Sequence, residues 1–336
     1  KVVDTVDTAP KKATSKPSKA ISKTENGGAK SGTSIKREQP RRRVRTKKRM
    51  RRLRKKRRRT RAKRKSKRRR RKKRARYQAW PTKRPKVSVK IPQLGPPPYV
   101  TGERLLFKLK MFGTTAGEVA LIVGKNTNVG GRDTQEFVAF IRGSEFLNKF
   151  YPVNNRLDAF VDARTMLPLK SNFFIREKGS KSNYHTVFDH RKRFLRSIRL
   201  KKGKKLYRNF KPATDIYEAL GSIYGVRRMN LKVGMTFSYY IWDSRKERLI
   251  SVTVVGEERI MTEAGWFDTI RIDIEARITG GFVTYKKLKS YPTRRGSLWL
   301  AKDRYRTPVK VLTPTKLGDA TATLTRRSLD QIAPEE

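Results

Sequence analysis

The sequence predicts a mostly β protein: a large antiparallel sheet, curled or partly closed like a barrel, with one packed helix, preceded by a disordered basic N-terminal region. Three observations carry this expectation. From about Tyr99 to Leu329 apolar residues recur with period two. The apolar runs are separated by short turn segments, which join antiparallel neighbours but are too short for the crossover helices of a parallel sheet. Third, the cations crowd into the front of the chain and leave the remainder with a composition that can fold.

Of the 336 residues, 86 are Lys or Arg and 28 are Asp or Glu, a formal charge of +58. Residues 1–100 hold 41 of the cations and 4 of the acids, and residues 101–336 hold 45 and 24. The latter part is rich enough in apolar side chains to bury a core. The absence of Cys excludes a disulfide scaffold, Cys-ligated zinc and thiol catalysis. No window of about 18 uncharged apolar residues is present to cross a bilayer as a helix.

Residues 1–40 combine Lys, Ser, Thr, Ala, Gly and Pro, the composition of a disordered polar linker. Residues 41–80 form the highly basic arm, with 28 Lys/Arg and no acid, Gly or Pro between Arg41 and Arg76. Ordering these 36 positions costs roughly 50 kcal/mol, whereas burying Val44, Met50 and Leu53 returns only about 6–9 kcal/mol. The arm is therefore expected to be disordered alone and to become helical when a polyanion neutralises it. Its expected polyanion-binding residues are Arg41, Arg42, Arg43, Arg45, Lys47, Lys48, Arg49, Arg51, Arg52, Arg54, Lys55, Lys56, Arg57, Arg58, Arg59, Arg68, Arg69, Arg70 and Arg71. Six prolines in residues 81–98 predict an extended, semi-rigid spacer. The β-rich domain follows over 99–330, with 331–336 as a tail.

Within the domain, Ile270, Ile272, Ile274, Ala276 and Ile278 alternate with Arg271, Asp273, Glu275 and Arg277, which assigns one sheet face to core and the other to water. Leu105, Phe107, Leu109 and Met111 repeat the pattern in a strand over 104–112. Further strands are expected at 117–125, 135–142, 156–163, 170–177, 184–190, 193–201, 235–242, 248–257, 282–290, 296–301, 308–313 and 320–326. Gly130-Gly131, Lys178-Gly179-Ser180, Lys201-Lys202-Gly203, Ala264-Gly265 and Gly280-Gly281 supply the turns. The single expected helix covers about 215–228. It carries capping-box-like spacing at Asp215 and Glu218 and an apolar stripe of Ile216, Ala219, Leu220, Ile223 and Tyr224, with Arg227 and Arg228 at the end that favours cations.

Several short signatures recur in order along this domain. Gly102-Glu103 and Ala116-Gly117-Glu118 open the first two strands, followed by Tyr151-Pro152-Val153, Arg156, Asp158, Asp162, Pro168 and Phe188-Asp189. Asp215, Ala219, Leu220, Gly234, Gly256-Glu257-Glu258, Gly265, Trp299, Asp303, Arg306, Pro308-Val309 and Gly318 complete the set. Their order and spacing resemble the bacterial family called domain of unknown function 3108, over about 102–324. The resemblance implies a β-rich, barrel-like domain located in the periplasm or outer cell envelope, with a signal segment removed on export, and it implies no catalytic residues. Ala301-Lys302 departs from the small polar or acidic residues usual before Asp303 in the family, and the basic arm lies outside its pattern.

No cofactor or metal site is expected. His185 and His190, five apart on one strand, face opposite ways and cannot share a metal. Asp158 and Asp162 share a face but stand about 13 Å apart along the strand, so salt bridging with Arg156 and Arg164 is their expected role. Glu257 and Glu258 diverge from a strand end. Neither phosphate-cradling glycine motif is present, nor a nucleophile elbow. Tyr239, Tyr240, Trp242, Trp266 and Trp299 are expected mainly in the core, and the concave side of a partly closed sheet suits an apolar ligand such as a lipid or peptide. The leading expectation is a non-enzymatic envelope protein whose arm binds lipopolysaccharide, anionic lipid or wall polymer. The alternatives are a cytoplasmic protein binding DNA or RNA non-specifically through the arm, and a hydrolase of envelope polymers using Asp158, Asp162 or Glu257.

Overall fold

A computed structural model describes residues 41–77, 89, 91–212, 214–283, 288, 291–315 and 318–329. The linker expected over 1–40, the spacer's residues 81–88 and the tail 331–336 lie outside the described residues. The chain divides into two units at Lys67/Arg68, inside the first helix.

That helix, α1 (Arg41–Tyr77), has 37 residues. Arg and Lys are good helix formers and no Gly or Pro interrupts them. The hydroxyl of Thr60 donates back to the Lys56 and Arg57 carbonyls, and that of Ser66 to the Lys63 carbonyl. Its few apolar residues do not gather on one side, so it has no face suited to a hydrophobic core. The structure thus presents the helical form of the segment; disorder in the absence of a polyanion remains an expectation about the free arm.

The second unit is built on one sheet of fifteen strands. Its first half comprises β1 (Glu103–Met111), β2 (Thr114–Val129), β3 (Arg132–Gly143), β4 (Asn154–Asp162), β5 (Pro168–Glu177), β6 (Ser180–Asp189), β7 (Phe194–Lys201) and β8 (Lys204–Phe210). Its second half comprises β9 (Ile216–Glu218), β10 (Thr236–Trp242), β11 (Lys246–Thr262), β12 (Gly265–Gly281), β13 (Arg294–Ala301), β14 (Pro308–Thr315) and β15 (Gly318–Leu329). The spatial order is β8-β7-β6-β5-β4-β3-β2-β1-β15-β14-β13-β12-β11-β10-β9. The chain therefore starts in the middle, meanders to one margin, crosses to the other and meanders back to pair β15 with β1. Every pairing is antiparallel except β9 with β10.

The sheet is open, and it curls around α3 (Ala219–Arg227). Leu220 and Tyr224 of α3 pack with Leu105, Phe107, Phe137 and Val161 from β1, β3 and β4, while Val226 packs with Val252, Ile272 and Leu298 from β11, β12 and β13. Both halves thus turn the same face toward one helix. On the opposite face of β10 and β11, Tyr240, Trp242 and Leu249 pack against Phe188, Leu195 and Phe210 from β6, β7 and β8. The margins consequently overlap like a scroll, joined by side chains, with no hydrogen-bond ladder between them among the described residues.

Several expectations change. The predicted helix over 215–228 starts four residues later, because Ile216–Glu218 is extended and pairs with Tyr240–Trp242. Its N-cap is Glu218, whose carboxylate accepts from the Gly221 N–H, and not Asp215. A second helix among the described residues of this unit, α2 (Glu145–Phe150), was not expected; Ser144 caps it by accepting from the Leu147 N–H at 3.2 Å. β8 is also additional. The strand expected at 282–290 does not form at Phe282 and Val283, which continue from β12 as a bend, and residues 284–287, 289 and 290 lie outside the described ones. Val89, Ile91 and Leu94 of the spacer pack on the core rather than stand off from it, and Leu94 bridges to Met229.

Candidate functional site

Two features of the molecule offer chemistry suited to binding. The first is α1. Arg51, Arg52, Arg54, Lys55, Lys56, Arg57, Arg58, Arg59 and Arg68 are exposed on it, as is every residue from Met50 to Arg68. Arg41, Arg42, Arg43, Arg45, Lys47, Lys48, Arg49, Arg69, Arg70 and Arg71 belong to the same helix. From Met50 to Lys67, within the first unit, exposed cations stand on every side of the helix, a form that can follow a polyanion without selecting a sequence.

The second is a cleft on the face of the sheet that holds α3. Its floor is set by register: Ile241 opposes Arg248, which opposes Ile278, and Ile250 opposes Ala276, which opposes Arg294. Ile274 and the bare Gly296 form the next row. Beyond the end of the packed core these rows leave a cavity of about 570 Å³, within the usual range of small-molecule sites. Arg245, Lys246, Arg248, Arg294 and Arg295 line it with Tyr291.

The rim is held by the short connection between β10 and β11. Asp243 accepts from the Lys246 N–H at 2.9 Å and from Arg248 Nε at 2.6 Å, so one carboxylate shapes the turn and aims the guanidinium. Gly281, at φ +101°, lets β12 close on this turn: a Cβ there would lie 2.5 Å from the Arg245 carbonyl oxygen and from Lys246 Cα. The Phe282 N–H then donates to that carbonyl at 2.7 Å. The Lys246 ammonium sits 4.4 Å from the centroid of Tyr291. Burial pulls its pKa below the usual lysine range despite the opposing charge of Asp243.

The residues weighed for catalysis are scattered and engaged. Asp158 is buried and accepts from Arg156 Nε at 2.6 Å. Its charge, after desolvation, helps to raise the pKa of Glu136. Asp162 closes a turn by accepting from the Arg164 and Thr165 N–H groups and the Thr165 hydroxyl; burial opposes its ionisation, but these bonds hold its pKa below the usual aspartate range. Glu257 pairs with Lys302 at 2.5 Å and Glu258 with Arg271 at 3.3 Å. His185 Nδ1 lies 2.9 Å from Asn172 Oδ1, and His190 Nε2 lies 2.8 Å from the Pro168 carbonyl. Among the described residues no cluster of three potential metal ligands forms. Tyr239, Tyr240, Trp242 and Trp299 are buried, whereas Trp266 is exposed at the β11–β12 hairpin tip, beside Arg259.

Sequence reasoning missed the cleft cations. A signal existed: Arg248 is in phase with Ile250, Val252 and Val254, placing a cation on the face assigned to core. The same phase connects Glu103 with Leu105 and Phe107, and Arg227 with Leu220 and Tyr224.

The family described as a protein of unknown function, DUF3108, matches residues 106–325. The chain belongs to the DUF3108 family. No curated protein matches it. Among solved structures, this DUF3108 chain is similar to a β-barrel-like protein of the domain of unknown function DUF1849 from Brucella abortus, with 9% identity and a TM-score of 0.46 over 72% of this chain and 100% of that one. An exported-type protein with a YmcC-like fold from Bacteroides fragilis aligns at 14% identity and a TM-score of 0.28 over 71% and 100%. A lipoprotein-type chain from Parabacteroides distasonis aligns at 12% and 0.29 over the same shares. No described helix is long and apolar enough to cross a membrane.

Proposed function

We propose that this DUF3108 protein is a binding protein of the cell envelope, tethered to polyanions by α1 while its curled sheet performs a separate task. The observation that carries the tether is the 28 Lys/Arg of residues 41–76, with no acid among them. A charge run usually serves as a solvated surface, yet this density exceeds what solubility requires. Lipopolysaccharide phosphates, anionic lipid or wall polymer are the polyanions of that compartment. Near an anionic membrane each cation contributes about 1 kcal/mol. The envelope location is supported by the family resemblance, and the tether by charge alone.

Deleting residues 41–76 tests the tether. The full chain is expected to stay on immobilised heparin or lipopolysaccharide at about 0.15 M salt, with a log–log salt slope near −8 if nine phosphates are engaged. The deleted chain is expected to wash through. Equal retention of both would refute the assignment, and a marked preference of the full chain for duplex DNA over lipopolysaccharide would move the protein to nucleic acid.

A further inference from the structure

We propose that the cleft between β10–β11 and β12–β13 binds a single-chain anionic amphiphile: an acyl chain on the isoleucine floor, with its carboxylate or phosphate head at the cationic rim. This goes beyond the tether and does not depend on it, since the cleft lies wholly in the second unit.

The floor and rim ask for different chemistry. Ile241, Ile250, Ile274, Ala276 and Ile278 offer an apolar trough with no charged side chain between them apart from Arg248. An extended hydrocarbon gains about 0.8 kcal/mol for each methylene it buries there. Five cations line the cavity, and two neighbouring acids answer them: Asp243 holds Arg248 at 2.6 Å, and Glu275 holds Arg295 at 2.5 Å. Three positive charges thus remain at Arg245, Lys246 and Arg294. Arg294 already gives one N–H to the Pro314 carbonyl at 2.7 Å, and its remaining donors suit an oxyanion. The partial desolvation of Lys246 disfavours its charged form, a cost that a bound anion relieves.

The cavity at Arg104, Lys108 and Arg142 on the other face is a weaker candidate. It is smaller, about 470 Å³, and Glu118 and Glu263 line it as well, Glu263 pairing with Lys108. Its charge is closer to balanced.

The test uses the full chain with α1 saturated by heparin, titrated calorimetrically with decyl phosphate, decanoate and decanol below their aggregation limits. One saturable site is expected, with both anions binding at least tenfold tighter than the alcohol. The double substitution Lys246→Gln, Arg294→Gln is expected to weaken both anions at least tenfold and leave the alcohol unchanged. Ala276→Phe, which fills the floor, is expected to weaken all three. The ligand ranking on the unsubstituted chain needs no variant to fold. Absence of a saturable site, equal binding of alcohol and anions, or anion binding indifferent to the double substitution in a folded protein would each overturn the assignment. Heparin retention, read separately, keeps failure of the cleft distinct from failure of the tether.

Discussion

At the residue scale, the informative side chains are charges placed in an apolar register. Arg227 reaches Glu103 with two N–H groups at 2.6 and 3.0 Å, and both side chains are fully buried. Arg227 also donates to the Tyr305 carbonyl at 2.9 Å and lies near the rings of Tyr99 and Tyr224, while Arg327 approaches Glu103 at 3.3 Å. The pair pins the end of α3 to β1. Removing Arg227 leaves Glu103 buried with only the longer contact to Arg327, so Arg227→Met is expected to cost about 3 kcal/mol in urea unfolding, the lower end for a broken buried pair. Adding Glu103→Leu to it should recover part of that loss, and a double variant no better than the single would contradict this account. Glu218 behaves differently. Burial raises its pKa to about 7, against the bonds it accepts from the Gly221 and Leu220 N–H groups. Because the folded state holds this proton more tightly than the unfolded chain, stability contributed here is fully present below about pH 4.5 and is lost as pH rises toward 7. Glu218→Gln should flatten that decline, and parallel stability–pH curves for the two proteins would rule the mechanism out.

At the element scale, period two made most strands legible, because one face of each is dry. Ile272 opposes Val254 on β11 and Leu298 on β13 and is wholly buried, while Arg271 on the other face bonds Asp273 at 3.0 Å and covers Trp299. Ile272→Asp buries a carboxylate without a partner and is expected to abolish soluble folded protein. Arg271→Gln should cost no more than about 1 kcal/mol. A thermal scan ranking them the other way would invert the assignment of the faces. What stayed illegible has physical causes. In β8, Lys204, Lys205 and Arg208 obscure the alternation, since a marginal strand keeps only Phe210 buried. The start of α3 was misplaced because Asp215 and Glu218 have cap-like spacing, and sequence does not show that Tyr240–Trp242 would claim residues 216–218 as a strand. The cleft was hidden because its residues come from five strands and meet only through register.

At the scale of the whole molecule, the mostly β character of the body could be read from composition and apolar alternation, whereas the overlap of the sheet margins could not. The body's core clusters draw on residues from Val89 onward. Deleting 41–76 should therefore leave its thermal midpoint within about 2 °C, less than the shift that 1 kcal/mol produces in a domain of this size. A larger fall would mean that the arm supports the fold. The overlap itself has a mechanical meaning. A cylinder closed by backbone bonds has a girth fixed by strand number and shear, but here Phe210 meets Trp242 at a ring separation of 5.0 Å, edge lapping over edge. Exchanging aromatic side chains along the seam can then alter the calibre, with no hydrogen-bond partner to rematch.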